Sequence, residues 1–440
     1  MIQIYDVYTA RQSILQRASG PDKFYSTAVA EMVEKVFGSG VTPSQAVTEI
    51  VESVRKNGEI ALQQWSKKLD QVTLNDFRVS PKEMLNAYDS LTAQEKKALK
   101  DARDRIRVFH ELQPMPEWQT TALGGVLGQR VTPIDRVGIY VPGGTAPLPS
   151  SLLMSVIPAQ VAGVGQCIIC TPPSPHPSIL AVAHLCSPVE LYQVGGAQAI
   201  AAMAYGTATI PKVDKIVGAG NLFVTLAKQQ LFGVVGIDAL AGPTETMIIA
   251  DSTANPKWVA ADLLAQAEHD VMASAILLTP DLELAKEVQV EVARQLEDLS
   301  RANIIARSLR DCGGIVLTSG IDEAIILAND YAAEHLCLEV SNPQSVADKI
   351  TNAGGIFIGD RSFEVLGDYV AGPSHVMPTG GSARFSSPLN VLDFVKITSI
   401  IALDSQTSME IGQSAAEIAD METLTAHASA ARIRQGENCV

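Results

Sequence analysis

Two pairs of residues in this chain have the types and spacing for acid–base or metal chemistry. Gln266 and His269 lie three apart in a predicted helix, so that a carboxamide and an imidazole face the same way. Glu334 and His335 are adjacent where a helix is expected to end and a strand to begin, which puts an acid and a base in one loop. Each pair also has a plainer interpretation. His269 can simply face the helix dipole, and neighbouring Glu and His residues are common by chance.

Further polar residues stand beside predicted turns. Asp368 adds a carboxylate, and His375 and His427 add imidazoles. A Gln, His, Asp and His set would offer nitrogen and oxygen ligands of borderline hardness, which suit zinc. Cys167 and Cys170 lie in an apolar run without a second cysteine or histidine pair nearby, so we interpret them as strand interior and not as a metal site.

Composition narrows the class of protein. The chain has 440 residues, of which 47% are apolar, and a formal net charge of −15. This charge argues against nucleic acid or an anionic membrane as a partner and favours a small-molecule ligand. No apolar run reaches the length of a membrane span, and the first residues lack the layout of a signal peptide. Six cysteines are too few for a disulfide framework, so we expect a cytoplasmic protein.

The order of predicted elements indicates an α/β fold. Helical spacing covers residues 44–56 and 80–111, after which short apolar strands alternate with glycine turns and helices, as in parallel sheets. Strands are expected at 137–141, 167–170, 191–194, 215–217, 247–250, 275–278, 315–317, 335–340 and 355–358. We predict two Rossmann-like α/β domains with parallel sheets, plus small N-terminal and C-terminal helical segments.

Three glycine loops follow predicted strands, at residues 142–144, 195–198 and 218–221. None matches the G-x-G-x-x-G fingerprint, although each lies between a strand and a helix, where backbone N–H groups attract phosphate. Glycine can also serve only to permit a tight turn. The presence of three such loops favours a shared cofactor crevice.

Specific stretches are spread over almost the whole chain. They are VGIYVPGG at 137–144, GGAQAI at 195–200, AGPTE at 241–245, ADLLAQAEH at 261–269, EHL at 334–336, GDYVAG at 367–372 with His375, and PTGG at 378–381. Together they resemble the histidinol dehydrogenase family. The resemblance implies oxidation of L-histidinol through L-histidinaldehyde to L-histidine, in the last steps of histidine biosynthesis, with NAD as hydride acceptor.

The resemblance also implies a role for individual residues. Glu334 and His335 would be the acid–base pair, in which His335 takes the alcohol proton and Glu334 activates water. One zinc per subunit would be held by Gln266, His269, Asp368 and His427, and NAD would contact Tyr140, Gln198 and Asn221. The substrate would meet Thr244, Gln266, His269, His335, Asp368, His375, Glu422 and His427. Zinc would serve as a template that grips substrate nitrogens.

The family's organisation gives a domain plan. Residues 1–29 would form an N-terminal helical segment, 30–139 and 247–389 the main α/β domain with zinc and catalytic residues, and 140–246 an inserted Rossmann-like NAD-binding domain. Residues 390–440 would be a C-terminal tail exchanged within a homodimer with shared active sites. This tail would contain a beta-rich patch at 391–401 and one long helix over 408–434.

Five positions differ from the commonest family pattern. Leu148, Ala219, Phe223, Ala333 and Ser374 stand where Tyr, Pro, Tyr, Pro and Asn are usual. They flank the functional positions and leave open a paralogue that oxidises another small polar alcohol.

Two alternatives come from other classes. A zinc hydrolase could use Glu334 as its general base and would release no NADH. A noncatalytic binding protein would be expected to have lost Glu334 or a metal ligand, and both are present.

Overall fold

The computed structural model describes residues 2–17, 25, 27–74, 76–143 and 146–435. The chain forms two compact units. The first contains residues up to Leu112 and from Asp135 to Phe394, and the second contains Gln113–Ile134 and the residues from Val395 onward. Gly144, the last residue of the predicted glycine loop at 142–144, lies outside the described residues.

The strands and helices follow in chain order. The strands are β1 (Ile4–Asp6), β2 (Trp118–Thr120), β3 (Val126–Pro133), β4 (Arg136–Tyr140), β5 (Gln166–Thr171), β6 (Glu190–Gln193), β7 (Lys215–Val217), β8 (Gly236–Ile237), β9 (Glu245–Ala250), β10 (Ser274–Thr279), β11 (Gly314–Leu317), β12 (His335–Glu339), β13 (Gly355–Ile358) and β14 (Val395–Ala402). The helices are α1 (Val7–Arg11), α2 (Thr27–Phe37), α3 (Pro43–Asn57), α4 (Glu59–Trp65), α5 (Pro81–Ser90), α6 (Ala93–Glu111), α7 (Pro149–Val161), α8 (Pro177–Leu185), α9 (Gly196–Tyr205), α10 (Leu222–Leu231), α11 (Pro256–Ala267), α12 (Leu282–Leu296), α13 (Ala302–Asp311), α14 (Ile321–Tyr331), α15 (Pro343–Ala347), α16 (Glu364–Tyr369), α17 (Ser405–Met421) and α18 (Thr425–Ile433).

The first unit contains two parallel sheets with one topology. The five-stranded sheet has the order β6-β5-β4-β7-β8, and the six-stranded sheet has the order β1-β11-β10-β9-β12-β13. If the strands of each α/β half are numbered along the chain, both sheets read 3-2-1-4-5, with β1 added at one edge of the larger sheet. This is the doubly wound arrangement, and it confirms the predicted fold class.

Alternation along the strands explains why the six-stranded sheet is covered on both faces. Ile248, Leu277 and Ile315 belong to one buried cluster, which includes residues of α11 and α12. Met247 and Ile276 belong to another, which includes residues of α14. Successive side chains of a strand point to opposite faces, so a continuously apolar strand requires helices on both sides.

Two features of the N-terminal part differ from the predicted plan. The start of the chain is not only helical, because Ile4–Asp6 pairs in parallel with β11. Residues 30–139 were expected to pack with 247–389, yet Ile50 and Trp65 share a buried core with Ile168 and Ile216 of the five-stranded sheet. The apolar spacing over 44–56 showed that α3 must pack against another surface but did not identify that surface.

Two predicted long helices are each divided. The helix expected over 80–111 breaks at Leu91, and α6 begins with a capping box in which Thr92 and Glu95 satisfy each other's backbone N–H groups. The tail helix divides into α17 and α18, with Thr423 in the left-handed region at φ 61°. Thr92-x-x-Glu95 was a readable start signal, whereas Thr423 offered none.

The second unit has its own antiparallel sheet, in the order β14-β3-β2. The β14 strand pairs with β3 over eight residues, from Val395 opposite Pro133 to Ala402 opposite Val126. The beta-rich patch expected at 391–401 is therefore real, although it begins with a 3₁₀ turn over Val391–Phe394.

Candidate active site

A cleft of about 200 Å³ in the first unit contains the predicted acid–base pair. Its walls come from the carboxyl ends of β7 and β8 and from the amino ends of β9 and β12. The lining includes Leu148, Ser151, Gly218, Ala219, Asp238, Thr244, His269, Glu334, His335, Asp368, Tyr369, His375 and Thr379. The cleft thus connects the carboxyl edge of the five-stranded sheet, where doubly wound folds bind ligands, to titratable side chains.

Glu334 and His335 are held by the start of β9. Glu334 Oε2 accepts hydrogen bonds from the Thr244 hydroxyl at 2.5 Å and from the Glu245 N–H at 3.0 Å. His335 Nδ1 lies 3.2 Å from the Glu245 carbonyl oxygen. Because a carbonyl only accepts, Nδ1 carries the proton, and Nε2 of the neutral ring retains its lone pair. The neutral ring can therefore accept a proton at Nε2.

Burial and neighbouring charges shift the pKa values of both Glu334 and His335. Burial raises the pKa of Glu334 to about 7, against the lowering effects of His335 and the hydrogen bond from Thr244. Burial lowers the pKa of His335, but neighbouring carboxylates, above all those of Glu364 and Glu334, raise it by more, to about 10. The pair therefore lies in a largely buried pocket with excess negative charge.

Asp368 lies among imidazoles. Its Oδ1 is 3.5 Å from His335 Nε2, a ring nitrogen without a hydrogen-bond partner in the described chain. His375 Nδ1 donates to the Asp368 backbone carbonyl at 2.8 Å, and His375 Nε2 lies 3.2 Å from the Ser151 hydroxyl. Burial raises the pKa of Asp368, but His335 and the other imidazoles lower it by more. Asp368 is therefore poised as a carboxylate.

Gln266 and His269 do not share one helical face as predicted. Helix α11 ends at Ala267, so His269 lies in the following turn, where it is exposed and lines the cleft. Gln266 is fully buried, and in the orientation that satisfies both ends of its amide, Nε2 donates to Glu364 Oε1 at 2.8 Å. Its Oε1 shares the Glu245 N–H with Glu334 Oε2, at 2.7 Å, and lies 2.7 Å from Thr244 Oγ1. The amide is thus next to the cleft but is engaged by protein groups.

The three residues expected near NAD all belong to the carboxyl edge of the five-stranded sheet. Tyr140 ends β4, and its buried hydroxyl accepts the Gly196 N–H at 3.0 Å. Gln198 lies in the first turn of α9 with its Oε1 buried and unpartnered, and the exposed Asn221 caps α10. Strands β4 and β7 are adjacent there, at the point where the strand order reverses, which is where doubly wound sheets bind ligands.

Gly218 shows why a glycine is needed at this edge. Its φ is 107°, and a Cβ atom would lie 2.3 Å from the Tyr140 carbonyl oxygen. The Gly218 N–H donates to Asp238 Oδ2 at 2.7 Å, and its carbonyl accepts from Lys228 Nζ at 3.0 Å. Only glycine fits this close approach of the loop to β4.

Glu422 and His427 belong to the second unit. Glu422 follows the last residue of α17, and His427 lies in α18, with both side chains exposed. Among the described residues, no group of three or more His, Cys, Asp or Glu side chains is arranged to hold a metal ion. In the same part of the chain, no helix combines the length and apolar character needed to cross a bilayer.

The five unusual positions differ in their surroundings. Leu148 and Ala219 line the cleft. Ser374 is buried and donates to the Met154 carbonyl at 3.1 Å, Ala333 is buried, and Phe223 packs against the core beneath the five-stranded sheet. Leu148 and Ala219 are therefore the two of these positions that line the cleft.

Sequence reasoning missed two acidic residues that organise the site. Glu245 lies in the AGPTE stretch, but only the folded chain shows its backbone between Glu334 and His335. Glu364 is buried and accepts hydrogen bonds from Thr246 and from the Gln266 amide. Glu364 begins the short helix α16, and no sequence motif around it indicates a role in the site.

A doubly wound sheet with a buried Glu–His pair beside its switch point fits the class of nicotinamide-dependent oxidoreductases. The sequence profile of histidinol dehydrogenase matches residues 37–435, and the chain belongs to the histidinol dehydrogenase family, NAD-dependent oxidoreductases of histidine biosynthesis.

Individual relatives agree with this assignment. Histidinol dehydrogenase of Thermus thermophilus is 48% identical over 383 residues, which cover 87% of this chain and 92% of that protein. The Deinococcus radiodurans histidinol dehydrogenase is 47% identical over 416 residues, covering 92% of this chain and 94% of the relative. The crystal structure of histidinol dehydrogenase from Elizabethkingia anophelis superposes with a TM-score of 0.89 at 36% identity, covering 98% of each chain.

Proposed function

We propose that this protein oxidises L-histidinol through L-histidinaldehyde to L-histidine and passes one hydride to NAD in each of two steps. The observation that carries this proposal is that Glu334 and His335 line the same cleft as Gly218 and Ala219. A nicotinamide ring bound at the switch point would lie at the mouth of that cleft. Tyr140, Gln198 and Asn221 would contact the NAD molecule.

The first oxidation requires a base beside the alcohol. In its neutral form, which requires that the charge of the neighbouring carboxylates be balanced, His335 takes the hydroxyl proton at Nε2 as the carbon passes its hydride to NAD, which leaves the aldehyde. The Nδ1 contact with the Glu245 carbonyl fixes the ring so that Nε2 is the atom that accepts.

The second oxidation requires water. Glu334 removes a proton from a water molecule as the water oxygen bonds to the aldehyde carbon, and His335 returns the proton that it took in the first step to the former carbonyl oxygen. The resulting hydrate again has a hydroxyl beside a transferable hydride, and the His335 ring is neutral again. His335 then serves as base once more while a second NAD accepts that hydride, and the product is the carboxylate. A Glu334 pKa near 7 suits proton exchange at neutral pH.

The donor chemistry beside the cleft fits a zinc ion. Gln266, His269 and Asp368, with His427 of the partner subunit, would hold it, with Gln266 exchanging its present contacts. Carboxylates crowd His335 closely enough to raise its pKa, and a dication would balance this excess charge. When bound, zinc would supply a template for the substrate's nitrogens.

The remaining proposed contacts concern substrate and assembly. Thr244, His375 and Glu422 would complete the substrate pocket, and a homodimer would share its sites through the C-terminal segment. We also propose a cytoplasmic location, which is supported by the free cysteines of the described chain.

The shared site can be tested with mixed dimers. His427→Ala and His335→Ala homodimers should each be nearly inactive, whereas their isolated heterodimer holds one doubly altered site and one intact site. It should recover up to about half of wild-type activity, as expected for one of two symmetric sites. Folded heterodimers that remain inactive would show that the tail serves its own subunit.

Substrate and reaction can be tested by following NADH absorbance with L-histidinol and with other small polar alcohols. Two NADH per histidinol consumed would support the proposal. Preference for another alcohol would indicate a paralogue, and substrate cleavage without NADH would indicate a hydrolase.

A further inference from the structure

The backbone of Glu245 joins the two members of the proposed acid–base pair. Its N–H donates to Glu334 Oε2 at 3.0 Å, and its carbonyl oxygen lies 3.2 Å from His335 Nδ1. Any rotation of this peptide segment would move both groups at once. The orientation of Glu334 and His335 therefore depends on what holds Glu245.

The Glu245 side chain is held by Arg17. The guanidinium Nη1 and Nη2 groups bond the two carboxylate oxygens, and the Nη2 to Oε2 distance is 2.8 Å. The Gly380 N–H adds a bond to Oε1 at 3.1 Å. The carboxylate is only 7% exposed, so this bidentate contact is largely shielded from water.

Arg17 also holds the segment that precedes Glu334. Its Nε and Nη2 groups donate to the Tyr331 carbonyl at 3.1 and 2.7 Å, and its guanidinium carbon lies 3.7 Å from the centre of the Tyr331 ring. Tyr331 is the last residue of α14, and only two residues separate it from Glu334. One guanidinium thus ties together the helix end before the pair and the strand beside it.

We propose that Arg17 is a positioning residue for Glu334 and His335. It acts through Glu245 and Tyr331, and it lies outside residues 37–435 that the family profile matches. The planar guanidinium makes its bonds to the carboxylate and the carbonyl simultaneously, a geometry that an ammonium group does not reproduce. This inference rests on the proposed function, because it assumes that Glu334 and His335 carry the chemistry.

Three variants test the role of the guanidinium. Arg17→Ala should lower kcat by about 100-fold, the loss that small misplacement of reacting groups produces, with KM for NAD changed less than about twofold. Arg17→Lys retains the charge and should still lose about 10-fold in kcat, because the bidentate geometry is gone. Arg11→Ala is the matched control, since Arg11 borders the same cavity but pairs with the exposed Asp330 and should leave kcat unchanged.

Chemical rescue supplies a readout that a merely structural role would not move. Arg17 borders a cavity of about 510 Å³, through which a small cation can reach the vacated position. Millimolar guanidine hydrochloride should raise kcat of folded Arg17→Ala at least several-fold and leave the wild type and Arg11→Ala unaffected. A kcat that stays low in folded Arg17→Ala at every guanidine concentration would overturn the positioning role.

Parallel variants separate this inference from the proposed function. If His335→Asn keeps the wild-type rate, the catalytic assignment fails regardless of Arg17. If His335→Asn is inactive while Arg17→Ala keeps the wild-type kcat, only the positioning role fails. Should Arg17→Ala not fold by circular dichroism, Arg17→Lys decides, and a wild-type kcat in that variant would overturn the role.

Discussion

The buried ion pair beneath the Gly218 loop offers a quantitative test of how the cofactor edge is built. The Lys228 and Asp238 side chains are 2% and 7% exposed, and together they bond the carbonyl and the N–H of Gly218. Asp238→Asn keeps the shape of the side chain and removes its charge. Lys228→Met removes the opposite charge at similar length.

The expected changes in the free energy of unfolding follow from the burial of the two charges. Either single substitution leaves one buried charge uncompensated and should lower the free energy of unfolding by about 3–5 kcal/mol. Lys228→Met combined with Asp238→Asn leaves no charge and loses hydrogen bonds to Gly218 and to the Ala239 N–H, so it should cost roughly 2 kcal/mol. KM for NAD should rise in all three variants, by about tenfold for each 1.4 kcal/mol of binding lost.

Urea unfolding followed by circular dichroism measures stability, and initial rates of NADH formation give KM. Lys286→Met is the control, because Lys286 and Glu283 form an exposed pair at 53% and 79% and should contribute less than about 1 kcal/mol. Single variants within about 1 kcal/mol of wild type, or a double variant that loses the sum of both, would refute the reasoning.

Three further predictions follow from the site and the sheet. Chelation should abolish NADH formation and leave the far-ultraviolet circular dichroism unchanged, because the apolar cores of both sheets contain none of the proposed ligands; full activity after verified zinc removal would contradict it. Glu334→Gln should slow oxidation of the aldehyde more than that of histidinol, whereas His335→Asn should slow both; equal wild-type rates with either substrate in Glu334→Gln would exclude its role with water. Glu339 is buried without hydrogen bonds, and burial, with Asp262 and Asp360 nearby, raises its pKa to about 8 from 4.5. The protonated Glu339 carboxyl therefore contributes fully to stability below pH 4.5, and this contribution is lost as the pH rises towards 8. Glu339→Gln should flatten the dependence of the urea midpoint on pH across that window. An unchanged slope would contradict the raised pKa of Glu339.

Local sequence determined the elements and their class. Mostly apolar runs and glycine turns predicted each strand from β4 to β7 and from β9 to β13, because parallel strands covered by helices on both faces are rich in apolar residues. The Thr92-x-x-Glu95 capping box was equally local and could have divided the helix over 80–111. The family motifs likewise named Glu334 and His335, which the structure brings together with Asp368 and His375 in one cleft.

Tertiary structure alone decided which surfaces meet. Apolar spacing in α3 and α4 shows that they are buried, yet packing against the five-stranded sheet depends on contacts between residues far apart in the chain. The acid–base pair lies at the amino end of β12, although ligands of doubly wound sheets are expected at carboxyl ends. Arg17 reaches Glu245 across 228 residues, and Gln266 turns its amide towards Glu364. A sequence lists the groups that can form hydrogen bonds, but the choice among partners is made by the folded backbone, because only there are distance and orientation fixed.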